Sequence, residues 1–142
     1  MSIAAYFGNI LIAVTSCLFG NSIDSQRSID SQRIVGSWTF TTNDKKITEN
    51  YDFDPAGTAT LKSCGEIVTA KYSVSRTERR PDLIAVDITV EKTNGARDCL
   101  GGTHNIGFQT RFFILQDNSG RFFVKCNNEV DGCDGVAIRR PH

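Results

Sequence analysis

No charged side chain precedes Asp24. Within that span Ile10 to Val14 with Leu18 and Phe19 make an apolar run too short to cross a bilayer as a helix, and too interrupted by Gly8, Asn9 and Ser16. A short apolar core followed by small residues and a polar stretch has instead the pattern of a secretory signal peptide, over residues 1–22, with the usual basic residue before the core missing. Net charge is also lacking: Lys plus Arg (16) cancels Asp plus Glu (16), so no broad field exists to gather nucleic acid or an anionic membrane. The one local basic cluster, Arg76, Arg79 and Arg80, is broken by Glu78 and Asp82 and has the character of a solvated loop.

Catalytic vocabulary is scarce. The chain has 2 histidines, His104 and His142, and neither lies near a nucleophile in sequence. No Gly-x-Ser-x-Gly elbow, Walker loop or dinucleotide-binding glycine motif occurs. We expect no catalytic residues, no enzyme activity and no cofactor. None of the cysteine spacings is the short pair of a structural zinc site. Asn127, Glu129, Asp131 and Gly132 imitate the start of a calcium loop, but Ile138 stands where the bidentate Glu belongs, so no metal site is expected.

Of the 5 cysteines, Cys17 stands apart. Val14-Thr15-Ser16-Cys17 resembles a lipobox, which would make Cys17 a lipid anchor and the chain's only hold on a membrane; Gly20-Asn21-Ser22 also fits the small-residue rule for ordinary signal cleavage, which favours simple secretion. Either route removes Cys17 and leaves Cys64, Cys99, Cys126 and Cys133, an even set suited to disulfides in a secreted or periplasmic protein. The short Cys126–Cys133 interval favours a local bridge, leaving Cys64 for Cys99, while all three connectivities stay open on sequence alone.

Residues 22–33 are Ser-Ile-Asp-Ser-Gln-Arg written twice. Two copies cannot build a solenoid, and one Ile per copy offers little surface to offset ordering entropy. A flexible linker over 23–33 is the expectation, with a short helix as the alternative. The folded domain then spans 34–142. There the pattern is period-two alternation broken by turn residues, predicting strands over 34–41, 46–54, 57–63, 66–75, 82–92, 104–116, 121–127 and 135–140. Asp54-Pro-Ala-Gly57 and Asp117-Asn-Ser-Gly120 are turn sequences between them. Parity groups Ile84, Val86, Ile88 and Val90 on one inward face, and Val68, Ala70, Tyr72 and Val74 on another. Ile106, Phe108, Phe112 and Ile114 form a third, and Ile47, Tyr51 and Phe53 a fourth.

The first strand carries Gly36-Ser37-Trp38, and with the Asp-Pro-x-Gly hairpin and the strand count the stretch from Ile34 to Arg140 resembles a small lipocalin-like member of the calycin group. The Thr-Asp-Tyr motif of that family is not found, Asp117-Asn118 being the nearest match, so the resemblance is to a divergent branch. It implies an all-β, eight-stranded antiparallel up-and-down barrel. It also implies that Trp38 plugs the closed end beneath Arg139 or Arg140. In such a topology all four remaining cysteines collect at the open rim. The function expected is an extracytoplasmic binding protein holding a small hydrophobic or amphipathic molecule, with Phe40, Tyr51, Tyr72 and Phe112 around the mouth; the plainer reading of those rings is core. The alternative is a secreted protein-binding module, such as a hydrolase inhibitor, acting through disulfide-held rim loops.

Overall fold

The computed structural model describes residues 25–141 apart from Ser28. The signal-like segment and Cys17 lie outside the described residues. Eight strands follow one another: β1 (Gly36–Thr42), β2 (Thr48–Phe53), β3 (Thr58–Ser63), β4 (Glu66–Arg76), β5 (Ile84–Thr93), β6 (Gln109–Gln116), β7 (Phe122–Cys126) and β8 (Cys133–Arg139). Each pairs antiparallel with the next, and β8 returns to β1 with Arg139 opposite Trp38, closing an up-and-down barrel. Among the described residues, closure leaves no sheet edge for another chain to extend.

Turn chemistry sets the hairpins. Asp54 Oδ1 accepts from the backbone N–H of Ala56 and of Thr58, both at 2.9 Å, and so folds the β2–β3 connection over Pro55. Asp117 holds the β6–β7 turn the same way, accepting from the Ser119 N–H at 3.0 Å. The inward parity holds for β4 and β5, where Val68, Ala70, Tyr72, Val74, Ile84, Val86, Ile88 and Val90 are all buried.

One strand start is corrected. β6 begins at Gln109, not at 104. Gly107 takes φ 88°, its N–H donates to the Val90 carbonyl, and the chain turns there instead of extending. Ile106 therefore faces out, 70% exposed, and Phe108, 45% exposed, packs against His104 in the connection; neither joins Phe112 and Ile114 in the core.

The segment expected to be a flexible linker is a second correction. Residues 25–27 and 29–34 are helical. The anchor is not the repeat's isoleucine, since Ile29 is exposed; it is Asp30, 1% exposed and held bidentately by Arg76, Nε to Oδ2 at 2.9 Å and Nη2 to Oδ1 at 2.8 Å. Burial pushes the Asp30 carboxyl up, but hydrogen bonds from Arg76 and Gln26 and the Arg76 charge outweigh it and hold the group below its ordinary value. The helix's last carbonyls also find donors, since Gln116 and Arg139 both donate to the Arg33 oxygen. Tertiary capping, which composition does not display, orders a segment with almost no apolar face of its own.

Candidate functional site

The two ends of the barrel are built from different materials. β1, β3, β5 and β7 run from the end closed by the helix toward the open end, so the connections after them all lie at the open rim.

At the closed end Trp38 is completely buried, meets Phe123 edge-on at 4.7 Å and donates its Nε1–H to the Ile34 carbonyl at 2.8 Å. The Arg139 guanidinium lies 4.2 Å from the Trp38 ring centre. Its donors reach the carbonyls of Gly120 (3.0 Å), Val35 (2.6 Å) and Arg33 (2.9 Å). A planar, weakly hydrated cation stacked on the indole while each of its three nitrogens donates to a different carbonyl is an arrangement that suits Arg and not Lys. Gly36 follows from this: it takes φ 130°, and a Cβ there would run into the Arg139 Nη1. Arg140, the other partner considered for Trp38, turns away and bonds Asp52 at 2.8 Å.

At the open end Cys64 is bridged to Cys99 and Cys126 to Cys133. Such bonds point to an oxidising, extracytoplasmic environment. The first ties the long β5–β6 connection down to the β3–β4 turn; the second pins the β7–β8 connection. Between them opens a cavity of ≈ 190 Å³. Leu61, Val68, Ile88, Val90, Phe108 and Phe112 supply its apolar wall; Glu49, Glu66, Asp98, His104 and Lys125 are among its ionisable residues, with Lys62 and Arg111 also on the lining, Arg111 paired to Asp87.

The rings proposed for the mouth divide. Tyr51 and Phe112 line the cavity. Phe40 lies behind them, stacked on Tyr51 at 5.8 Å and only 2% exposed. Tyr72 does not reach the mouth: it sits deep in the barrel against Phe53 at 5.1 Å, and its hydroxyl donates to the Asp54 carbonyl near the closed end. Much of the aromatic set thus packs on itself as core.

Sequence reasoning missed the charged lining. Period-two parity turns Glu49, Glu66 and Lys125 inward, one residue beyond the apolar alternation where each strand meets the rim, so the signal was present and passed over. Glu49 accepts from the Tyr51 hydroxyl at 2.8 Å. Burial first, and then the Glu49 charge, push the Tyr51 phenol well above its ordinary value, so it stays a neutral donor. Lys125 lies between the rings of Phe40 and Phe112, its Nζ 4.9 and 5.4 Å from their centres, with 15% of its side chain exposed. Among the described residues the carboxylate it pairs with is that of Asp134, at 3.7 Å, beyond hydrogen-bond reach.

Glu66 is 2% exposed. Its Oε2 accepts from the His104 N–H at 2.9 Å, and its Oε1 lies 2.7 Å from His104 Nδ1. Asp98 stands alongside, its Oδ1 accepting from the N–H groups of Leu100 and Gly102 at 2.9 Å, its Oδ2 3.9 Å from His104 Nδ1. One donor atom from each of the three residues falls within 4.8 Å of the others. No family model matches the chain, and no curated protein or solved structure matches it.

Proposed function

We propose that the chain is a lipocalin-like extracytoplasmic binding protein whose open mouth takes a small amphipathic acid, its apolar part against Leu61, Val68, Ile88 and Phe112 and its carboxylate on Lys125. The observation that carries this reading is Lys125 itself. An ammonium drawn into an aromatic cleft at the head of a hollow, with its pairing carboxylate out of hydrogen-bond range, is costly to keep unless something accepts its protons. A volume of ≈ 190 Å³ favours a short aliphatic or aromatic acid over a long-chain lipid. Export by signal peptide, with or without an anchor at Cys17, fits the two bridges.

The test is a thermal-shift and Tyr-fluorescence titration with short fatty acids, aromatic acids, retinoids and hydrophobic dyes. Short acids should raise the melting temperature and should fail to do so after Lys125→Met. If no member of the panel binds, the small-molecule reading falls. A second reading has its own observation. Leu100, Ile106 and Val130, at 84%, 70% and 67% exposure, stand out from the rim connections that the disulfides brace. Rigid loops displaying apolar side chains suit a protein target, such as a secreted hydrolase, because little ordering entropy is lost on docking.

A further inference from the structure

We propose that Glu66, Asp98 and His104 bind one divalent metal ion of the zinc type on the wall of the mouth cavity, whether or not that cavity also takes an organic ligand. Three features support the assignment. The first is donor chemistry. One imidazole nitrogen and two carboxylate oxygens make a set that suits zinc and its transition-metal neighbours, whereas calcium and magnesium take oxygen ligands throughout.

The second is geometry. Zinc bonds of about 2.0–2.2 Å place tetrahedral ligand atoms roughly 3.3–3.6 Å apart. The Glu66–His104 separation of 2.7 Å must open by roughly 0.6–0.9 Å, the Asp98–His104 separation of 3.9 Å must close by roughly 0.3–0.6 Å, and the Glu66 and Asp98 oxygens, which lie within 4.8 Å of one another, must reach the same spacing; side-chain torsions supply these shifts. The ion would replace the proton that Glu66 Oε1 and His104 Nδ1 share, and that proton would leave to solvent.

The third is support around the ligands. Asp98 Oδ1 is fixed by two loop N–H groups while Oδ2 points toward His104. The Phe108 ring packs on the imidazole with centres 5.0 Å apart, and the Cys64–Cys99 bridge joins the loop carrying Asp98 to the turn just before Glu66. All three ligands line the cavity, so the fourth position opens onto it and a water or a small anion could complete the shell. The chain positions of the three, one at the start of β4 and two in the β5–β6 connection, explain why no spacing motif announces them.

The plain alternative is that Glu66 and His104 form only a latch holding the loop to the barrel, and the experiment separates the two. The full chain, with both bridges intact, is stripped with a chelator, dialysed and titrated with zinc chloride by calorimetry, with calcium chloride in parallel. Expected are one zinc ion per chain, no calcium uptake, and a melting temperature that rises with zinc concentration. His104→Ala should weaken zinc binding by at least about 100-fold, since even residues that merely support metal ligands cost 10–100-fold. Asp98→Asn keeps Oδ1 and its loop hydrogen bonds, so its metal-free melting temperature should match the parent's while its zinc affinity drops. Cobalt substituted for zinc should give the visible bands of a four-coordinate ion without thiolate. No zinc uptake, calcium uptake in place of zinc, or zinc uptake unchanged in both variants would each overturn the site.

Discussion

The closed and open ends of this barrel face the same problem, how to terminate a stack of inward-pointing side chains, and solve it in opposite ways. The closed end ends in a solid plug: Trp38, Phe123 and Ile34, with Arg139 satisfying three carbonyls over the indole. The open end ends in a hollow lined by Glu49, Glu66, His104 and Lys125, its loops tied by covalent bridges instead of by packing. Polar groups at the plug point at backbone atoms the fold must satisfy. Those at the mouth also hold loop N–H groups, but they meet one another side chain to side chain as well, Tyr51 on Glu49 and His104 on Glu66, and they line a hollow. The first pattern is what stability requires; the second costs stability and marks the end where function is to be sought.

The largest expected effect therefore belongs to the plug. Trp38→Ala should cost about 3–5 kcal/mol, as for large-to-small changes at buried aromatic sites. Chemical denaturation monitored by far-UV circular dichroism measures it, the variant having lost the chain's 1 Trp as a fluorophore. A loss under about 1 kcal/mol would erase the contrast between the ends.

The bridges come next, and they should differ from each other. Cys64 and Cys99 are 35 residues apart, Cys126 and Cys133 only 7. Replacing the first pair with serine should cost about 4 kcal/mol and the second about 2 kcal/mol on the chain-entropy account. Equal losses in denaturation midpoints at fixed slope would mean that the long rim loop is ordered by its own contacts, not by its bridge.

A smaller effect tests how the helix is joined to the plug. Asp30 has its carboxyl held below the ordinary value by Arg76, so the pair stabilises the fold above about pH 4 and that contribution fades as pH falls through the lowered native value. Asp30→Asn should cost about 1–3 kcal/mol at neutral pH and flatten the acid limb of the stability profile. An unchanged acid limb would show that Arg76 does not hold the helix.

The barrel was legible in the sequence and the mouth only in part, through Tyr51, Phe112 and the two bridges, for physical reasons. Alternation in β4 and β5 and the Asp-initiated turns are local signals that marked strands and hairpins, while the up-and-down barrel was what the resemblance implied. Trp38 beneath Arg139 or Arg140 was implied by the lipocalin resemblance alone, and the pairing of β8 with β1, which sets Arg139 opposite Trp38, decides between the two. The helix was hidden because its stability comes from Arg76, Gln116 and Arg139, residues distant in the chain. Ile106 and Phe108 misled because their parity matches that of Phe112, while Gly107 between them turns the chain. Glu66, Asp98 and His104 meet only once the barrel closes and the Cys64–Cys99 bridge draws the loop down. A site assembled from one strand end and one long loop carries no period to find.

The smallest expected change in stability is also the sharpest test of the comparison. Lys125→Met keeps the unbranched stem between Phe40 and Phe112 and removes only the ammonium. If the mouth were a structural element like the plug, losing that charge would leave Asp134 without its cation and destabilise the chain. If the ammonium is held for a ligand, its desolvation is a standing cost. The substitution should then leave stability within about 1 kcal/mol of the parent, or raise it, as for buried charges exchanged for well-packed apolar groups. Binding of short acids should be lost in the same variant. Equilibrium denaturation and ligand titration on one preparation give both readouts. A loss of more than about 2 kcal/mol would make Lys125 a structural residue and return the open end to the same category as the closed one.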